Sequence, residues 1–472
     1  MASPSRPGDE ADAHARLRAD RGRRLRLSIV TSLFTKPLAL IIPLVTVPLF
    51  LRYLGDERYG LYESIGALAA WISLTDAGLG LGLVNRLTEC HVHNDEGLAR
   101  RYVSSFFVAV LGLVAAAAVV LSLVVPLVDW GRVFPATGEL ARRETPWAVW
   151  AAGVMTLLSL AAGYPLAIYT AHQELHRNNL WDAAAKIGLL LAAVAVVFTP
   201  FGLVGVIVAA SGAAAAVRLA NTAHLFAREK PWLRPSLRLF DRRLLRATVT
   251  EALGLFFITA SSMALFQTDK LIIGVVLEPA AVTDYAVVGR VFMMTYGVYA
   301  LVIAPLWPAY GEAIRRGDLP WVRWALVRSL AVGCGGLLLT GAVMFFFGNR
   351  VLRLWTHGQD VSVSRPLVAG LTATFVLWAW MGCQSIVLNA AGVLRPQMLF
   401  IGGHALLNFA AAVVLAKMYG PAGVAWAIFL TGVVTSAWGY PWMIRRYVFR
   451  KPPSTSGEPD SPGVALPPLD PQ

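Results

Sequence analysis

Apolar runs of bilayer length recur along almost the whole of this 472-residue chain. A helix needs roughly 20 residues to cross hydrocarbon. Runs of that order lie near 27–51, 59–84, 103–128, 147–170, 181–199, 201–222, 248–277, 285–308, 325–348, 366–389, 397–416 and 420–444. The pattern predicts an all-α integral membrane protein of about twelve transmembrane helices. Only 15% of residues are charged and the mean hydropathy is +0.59. That is too little charge to cover a water-soluble surface of this size.

The net charge is +13. In a soluble chain that balance points to nucleic acid. Here the bases cluster between apolar runs, which excludes nucleic acid and suits loops facing anionic lipid. With twelve spans both termini share a side. Of 41 Lys and Arg residues, 28 fall on that side, nine on the other and four inside the runs. The positive-inside bias predicts cytoplasmic termini. The expected organisation is a basic tail at 1–26, an N-lobe at 27–226, a cytoplasmic loop at 227–247, a C-lobe at 248–446 and a Pro-rich tail at 447–472. Both tails read as disordered. The first run lacks a small-residue cleavage site and reads as an uncleaved helix. Cys90, Cys334 and Cys383 are too scattered for a metal or disulfide framework and read as structural.

The two halves look related. At one constant offset, Phe201-Gly202 falls on Tyr419-Gly420, Gly205-Val206 on Gly423-Val424, and Arg177 on Arg395. The matches suggest two six-helix lobes related by a parallel repeat, an arrangement that places a transported substrate between repeats.

Charges inside the runs are the candidate site, because an isolated charge in hydrocarbon is costly and faces a partner or a wet cavity. Lys36 lies about 14 Å into span 1, and Asp76, in SLTDAGLGLGLVNR (73–86), about 15 Å from the inner end of span 2. The two reach similar depth and are expected to face one interior space. In the second half Asp269 and Lys270 stand about 12 Å from the outer end of span 7, and Arg290 about 8 Å into span 8. Asp269 is expected to meet Arg290, leaving Lys270 to turn elsewhere. Gly78, Gly80 and Gly82 give GxGxG with no preceding strand, so they are not a nucleotide loop. They allow close helix approach and bending. Lys186 suits an i,i+4 pair with Asp182. His404 and Asn408 read as a polar interhelix contact rather than a metal site. No cofactor is expected.

RYLGDERYGLY (52–62), DAGLGLGLVNR, TDKLIIG, DYAVVGR and LWPAYGEAIRRGD (306–318) resemble the polysaccharide-export branch of the MOP flippase superfamily. The resemblance covers roughly residues 25–445. It implies two lobes around a central cavity, and transfer of a polyprenyl-diphosphate-linked oligosaccharide from the inner to the outer leaflet, without catalysis. It also implies cavity-facing cations on helices 1, 2 and 8. Lys36 matches helix 1 and Arg290 matches helix 8. Helix 2 departs, carrying Asp76 centrally, with Arg86 as its nearest cation, at the inner end. Lys36, Arg290 and Lys270 would hold the diphosphate, with Asp76 and Asp269 as their counter-ions in the empty cavity. The expected partners are this lipid-linked substrate, membrane lipids and other glycan-assembly membrane proteins. A cation-coupled multidrug exporter of the same superfamily is the main rival. A peptidoglycan-precursor flippase typically has two more helices. A glycan polymerase or ligase typically has a large catalytic outer loop, whereas residues 129–146 carry no convergent acid/base or nucleophile set.

Overall fold

The computed structural model describes residues 27, 31, 35, 37–359 and 361–450, with side chains at all of these except 74–79, 81, 247, 250–255, 258–259, 262, 264 and 266. Among the described residues the only regular structure is helical. The first half comprises α1 (Pro37–Leu54), α2 (Asp56–His93), α3 (Glu96–Val124), α4 (Glu139–Ala171, interrupted at 162–163), α5 (Leu175–Val196) and α6 (Gly202–Glu229). The second comprises α7 (Arg242–Val276), α8 (Pro279–Ile303), α9 (Leu319–Trp355), α10 (Arg365–Ala390), α11 (395–419) and α12 (421–449). A short helix, Leu306–Arg316, joins α8 to α9.

Nine segments among the described residues are long and apolar enough to cross a bilayer, and the segment Arg395–Phe449 holds two of these helices, α11 and α12. α2 and α7, at 38 and 35 residues, are also long enough but more polar. The count agrees with about twelve crossings. On α3, Val119, Val120 and Leu123 are 59%, 58% and 61% exposed. A continuous face of such residues needs lipid as its solvent.

Glycine sets the turns that define this topology. Gly55 has φ +75° and lets α1 reverse into α2 in one residue. At the matched positions of the repeat, Gly202 has φ +54° and Gly420 φ +63°, the left-handed region closed to most side chains. Gly420, followed by Pro421, is where α11 turns into α12. At this turn the two halves share a backbone conformation as well as a residue type. By contrast, α2 runs unbroken through Gly78, Gly80 and Gly82.

Two ends of the bundle can be told apart by their loops. At the basic end, the 225–241 connection docks on the first half. Lys230 Nζ is 3.4 Å from Glu174, Arg177 is 2.7 Å from Glu229, and Arg101 is 2.7 Å from Asp241. His172 is buried in this assembly, its ring 4.7 Å from that of His91 and 6.2 Å from that of Trp232. At the opposite end, Glu57 accepts the Gly138 N–H at 3.1 Å, and the Tyr53 hydroxyl donates to Thr199 O.

At that opposite end the two halves touch. α2 packs along α7 and α8. The Thr283 hydroxyl donates to Asp56 O at 2.6 Å, and Gly60 lies so close to α8 that a Cβ would stand 1.7 Å from Pro279 O. Gly60→Ala must therefore separate α2 from α8. With the three native cysteines replaced by alanine, a cysteine at the fully buried Ser64 should react several-fold faster with a membrane-impermeant maleimide in the Gly60→Ala background, from the side bearing residue 56. An unchanged labelling rate would show that the contact does not hold this end shut.

Burial, then the Lys230 charge, brings the His172 pKa down to about 4 from an ordinary value near 6.5. The folded protein thus keeps this imidazole neutral where the unfolded chain protonates it. Stability should be full above pH 6.5 and fall as the pH drops from 6.5 towards 4. Thermal melts across that window should show a smaller fall for His172→Gln than for the wild type.

Candidate functional site

Glu63 is the centre of the candidate site. It lies seven residues into α2, about 10 Å from the end bearing Asp56. Lys270 lies six residues before the end of α7, about 9 Å from the same side. Arg290 lies eleven residues into α8, about 16 Å in. The antiparallel course of α2 and α7 brings these depths together. The Glu63 carboxylate accepts from Lys270 Nζ at 2.5 Å through Oε2 and from Arg290 Nη2 at 2.7 Å through Oε1. The Tyr59 hydroxyl, one helical turn earlier, donates to Oε1 at 3.0 Å. One carboxylate from the first half thus ties two cations from the second.

The charges do not balance within this group. Glu63 is 5% exposed at its side chain, Lys270 20% and Arg290 28%. A cavity of about 210 Å³ opens beside all three and is also lined by Gly66, Ala69, Ser211 and Gln267. A larger one of about 650 Å³ shares Gly66, Ala69 and Ser211 with it and extends into the first half. The two cavities are therefore neighbours, and two cations and one anion line the smaller one.

The expected pairing of Asp269 with Arg290 does not form, and Lys270 is not free. Arg290 and Lys270 both bind Glu63. Adjacent helical residues point about 100° apart, so Asp269 faces α8 rather than the cavity tie. Its Oδ2 accepts from the Tyr285 hydroxyl at 2.7 Å. Arg290 and Asp269 share only a small cavity of about 60 Å³. Arg86 stands more than six helical turns beyond Glu63 on α2, about 34 Å along the helix, and pairs with Glu89 at 3.2 Å. It is not brought to the tie. Lys36 and the side chains of Asp76 and Gly78 lie outside the described residues.

Lys186 pairs with Asp182 at 2.5 Å, as its spacing predicts, and also donates to Thr35 O. His404 Nε2 bonds Ile428 O at 3.0 Å, an interhelix contact between α11 and α12. Glu63 itself escapes the sequence reading. The signal is nonetheless there, since Glu63 is a carboxylate inside the second apolar run, subject to the argument applied to Asp76.

Glu63→Gln should cost more stability than Lys270→Met, because it strands two cations whereas the second change leaves Glu63 with Arg290. About 3 kcal/mol is expected for Glu63→Gln, the low end for breaking a buried pair, given the partial exposure of both cations. Thermal unfolding of the detergent-purified variants measures the order, and the reverse order would refute it.

A family model described as "Polysaccharide biosynthesis protein" matches residues 28–313. A Salmonella typhi protein named "Putative O-antigen transporter" is 20% identical over 438 residues, covering 90% of this chain and 97% of that protein. An inward-facing multidrug resistance MATE family transporter of the MOP superfamily superposes with a TM-score of 0.69 at 17% identity, over 90% of this chain and 97% of the other. The lipid II flippase MurJ, in an inward closed conformation, does so at 0.67 and 11% identity, over 89% of this chain and 87% of the other.

Proposed function

Because this chain belongs to the polysaccharide biosynthesis protein family, we propose that it carries a polyprenyl-diphosphate-linked oligosaccharide from the inner to the outer leaflet of a bacterial cytoplasmic membrane by alternating access. The Glu63–Lys270–Arg290 tie is the observation that carries this reading. Diphosphate and sugars cannot be desolvated in hydrocarbon, whereas the polyprenyl tail can stay in lipid. A flippase therefore needs a wet cationic cavity open to each side in turn. The chamber between the halves ends at two cations held by one carboxylate, and the basic end of the bundle is taken as cytoplasmic.

A diphosphate entering from the cytoplasm competes with Glu63 for Lys270 and Arg290. It brings more negative charge and more acceptor oxygens than one carboxylate, and Arg290 presents a planar fork suited to phosphate. Once both cations turn to the substrate, the ion-pair link from α2 to α7 and α8 is lost and the contact between the lobes at that end weakens. Glu63 retakes the cations after release. Lys36 and Asp76 are assigned to the same chamber by their depth. An inside-negative potential favours the anion's outward passage by about 2.3 kcal/mol per charge per 100 mV. No step breaks or makes a covalent bond, so the protein acts as a carrier rather than an enzyme.

The multidrug exporter is the rival that the MATE likeness keeps in view. An anionic cargo suits paired cations better than a drug cation does. In cells lacking the native copy, Arg290→Ala at equal protein level should reduce surface polysaccharide at least tenfold and accumulate lipid-linked units on the inner leaflet. Unchanged polysaccharide would remove Arg290 from the mechanism. Accumulation on the outer leaflet would point to a polymerase or ligase, and drug sensitivity without a glycan defect would point to the exporter.

A further inference from the structure

The two halves differ in what they enclose. The first half holds a cavity of about 650 Å³ beside the one at Lys270 and Arg290, whereas the cavity of about 630 Å³ along α7 and α11 of the second half is walled mostly by apolar side chains, among them Phe257, Leu271, Leu406 and Phe409. The walls of the first-half cavity are polar for a membrane interior. Asn178 and Trp181 come from α5, Ser211, Arg218 and Asn221 from α6, and Ser159 from α4. The side chains of Asn178, Ser211 and Arg218 are bonded to no described residue. Asn221 accepts from the Tyr169 hydroxyl at 3.2 Å through Oδ1, and its NH₂ is bonded to none. Asn221 is buried, Asn178 and Ser211 are half-buried and Arg218 is exposed, so their unbonded groups are accessible from the cavity. A row of them facing one cavity is laid out for a hydrated or hydroxyl-rich occupant.

The chemistry selects among polar occupants. Arg218 offers a fork of donors, Asn178 and Asn221 offer both donors and acceptors, and the serine hydroxyls serve either way. Trp181 adds a half-buried indole ring. A pyranose has hydroxyls around its rim and a face of polarised C–H groups, which suits the negative face of an aromatic ring. Gly66 and Ala69 of α2 line both this cavity and the one beside Glu63. Only short side chains therefore stand at this boundary between the two cavities.

We propose that this cavity of the first half is the glycan subsite: Trp181 stacks a sugar ring, Asn178, Arg218 and Asn221 bond its hydroxyls, and the diphosphate sits at Lys270 and Arg290. The proposal rests on the flippase reading and goes further, since it assigns the sugars to one lobe rather than to the cleft between lobes. It also accounts for the difference in polarity: a single hydrophilic head needs one wet compartment, and the cavity along α7 and α11 can stay apolar.

The test uses full-length protein in lipid nanodiscs and isothermal titration calorimetry with four probes. These are farnesyl diphosphate and its glucosyl, galactosyl and N-acetylglucosaminyl derivatives. At least one glycosylated probe should bind about tenfold more tightly than the bare diphosphate, roughly the net gain from one or two hydrogen bonds to a sugar. Trp181→Ala and Asn178→Ala should each remove most of that gain while leaving bare farnesyl diphosphate within about twofold of wild type. Arg290→Ala should weaken all four. No gain from any sugar, or a gain retained in both first-half variants, overturns the subsite even where Arg290→Ala still weakens the bare diphosphate and so upholds the flippase reading. Binding of none of the four probes to the wild type overturns both.

Discussion

A charge below the headgroups must be matched by another charge or by water, and the structure is organised around that requirement. Glu63, Lys270 and Arg290 meet it by sharing one carboxylate between two cations at the end of a cavity. The group is stable as a set and unstable in parts. It also spans the junction of α2 with α7 and α8, so a local electrostatic contact holds two large bodies together. An interaction that is strong only while its partners are present is suited to a contact that has to break when an anion arrives.

The surrounding packing makes the contact possible. Gly55 allows α2 to start one residue after α1 ends. Gly60 lets α2 approach the first turn of α8, which brings Arg290 within reach of Glu63. Gly274 plays a similar part on α7, where a Cβ would stand 2.6 Å from the Ser64 hydroxyl. Small residues at the helix contacts and long polar ones at their ends are what a membrane bundle needs, because the hydrophobic effect adds little between helices already in lipid.

Much of the fold is legible in the residue order. Run length predicts the helices, α2 and α7 included, although these two are more polar than the others. The internal repeat is visible in Gly202 and Gly420, and both adopt the positive φ that only a tight turn between helices requires. The site is half legible. Depth alone singles out Lys270 and Arg290, but it points to Asp269 as the partner of Arg290. Sequence distance makes that choice attractive, since Asp269 stands on α7, the helix just before that of Arg290, while Glu63 belongs to the other half of the chain. The carboxylate one residue beyond the RYGLY motif needs the same scrutiny as Asp76.

Composition and periodicity by themselves determined that the chain lives in a membrane, how often it crosses, which end is basic and which side chains cannot remain unpaired. These are properties of transfer from water to hydrocarbon, and each residue carries them wherever it stands. Tertiary structure alone decided which carboxylate pairs with which cation, that α2 packs along α7 and α8, and that the cavity of the first half is polar while the one along α7 and α11 is apolar. Those outcomes depend on the rotation of α2, α7 and α8 about their axes and on the distances between them. Such relations arise between segments far apart in the chain, where no local spacing records them.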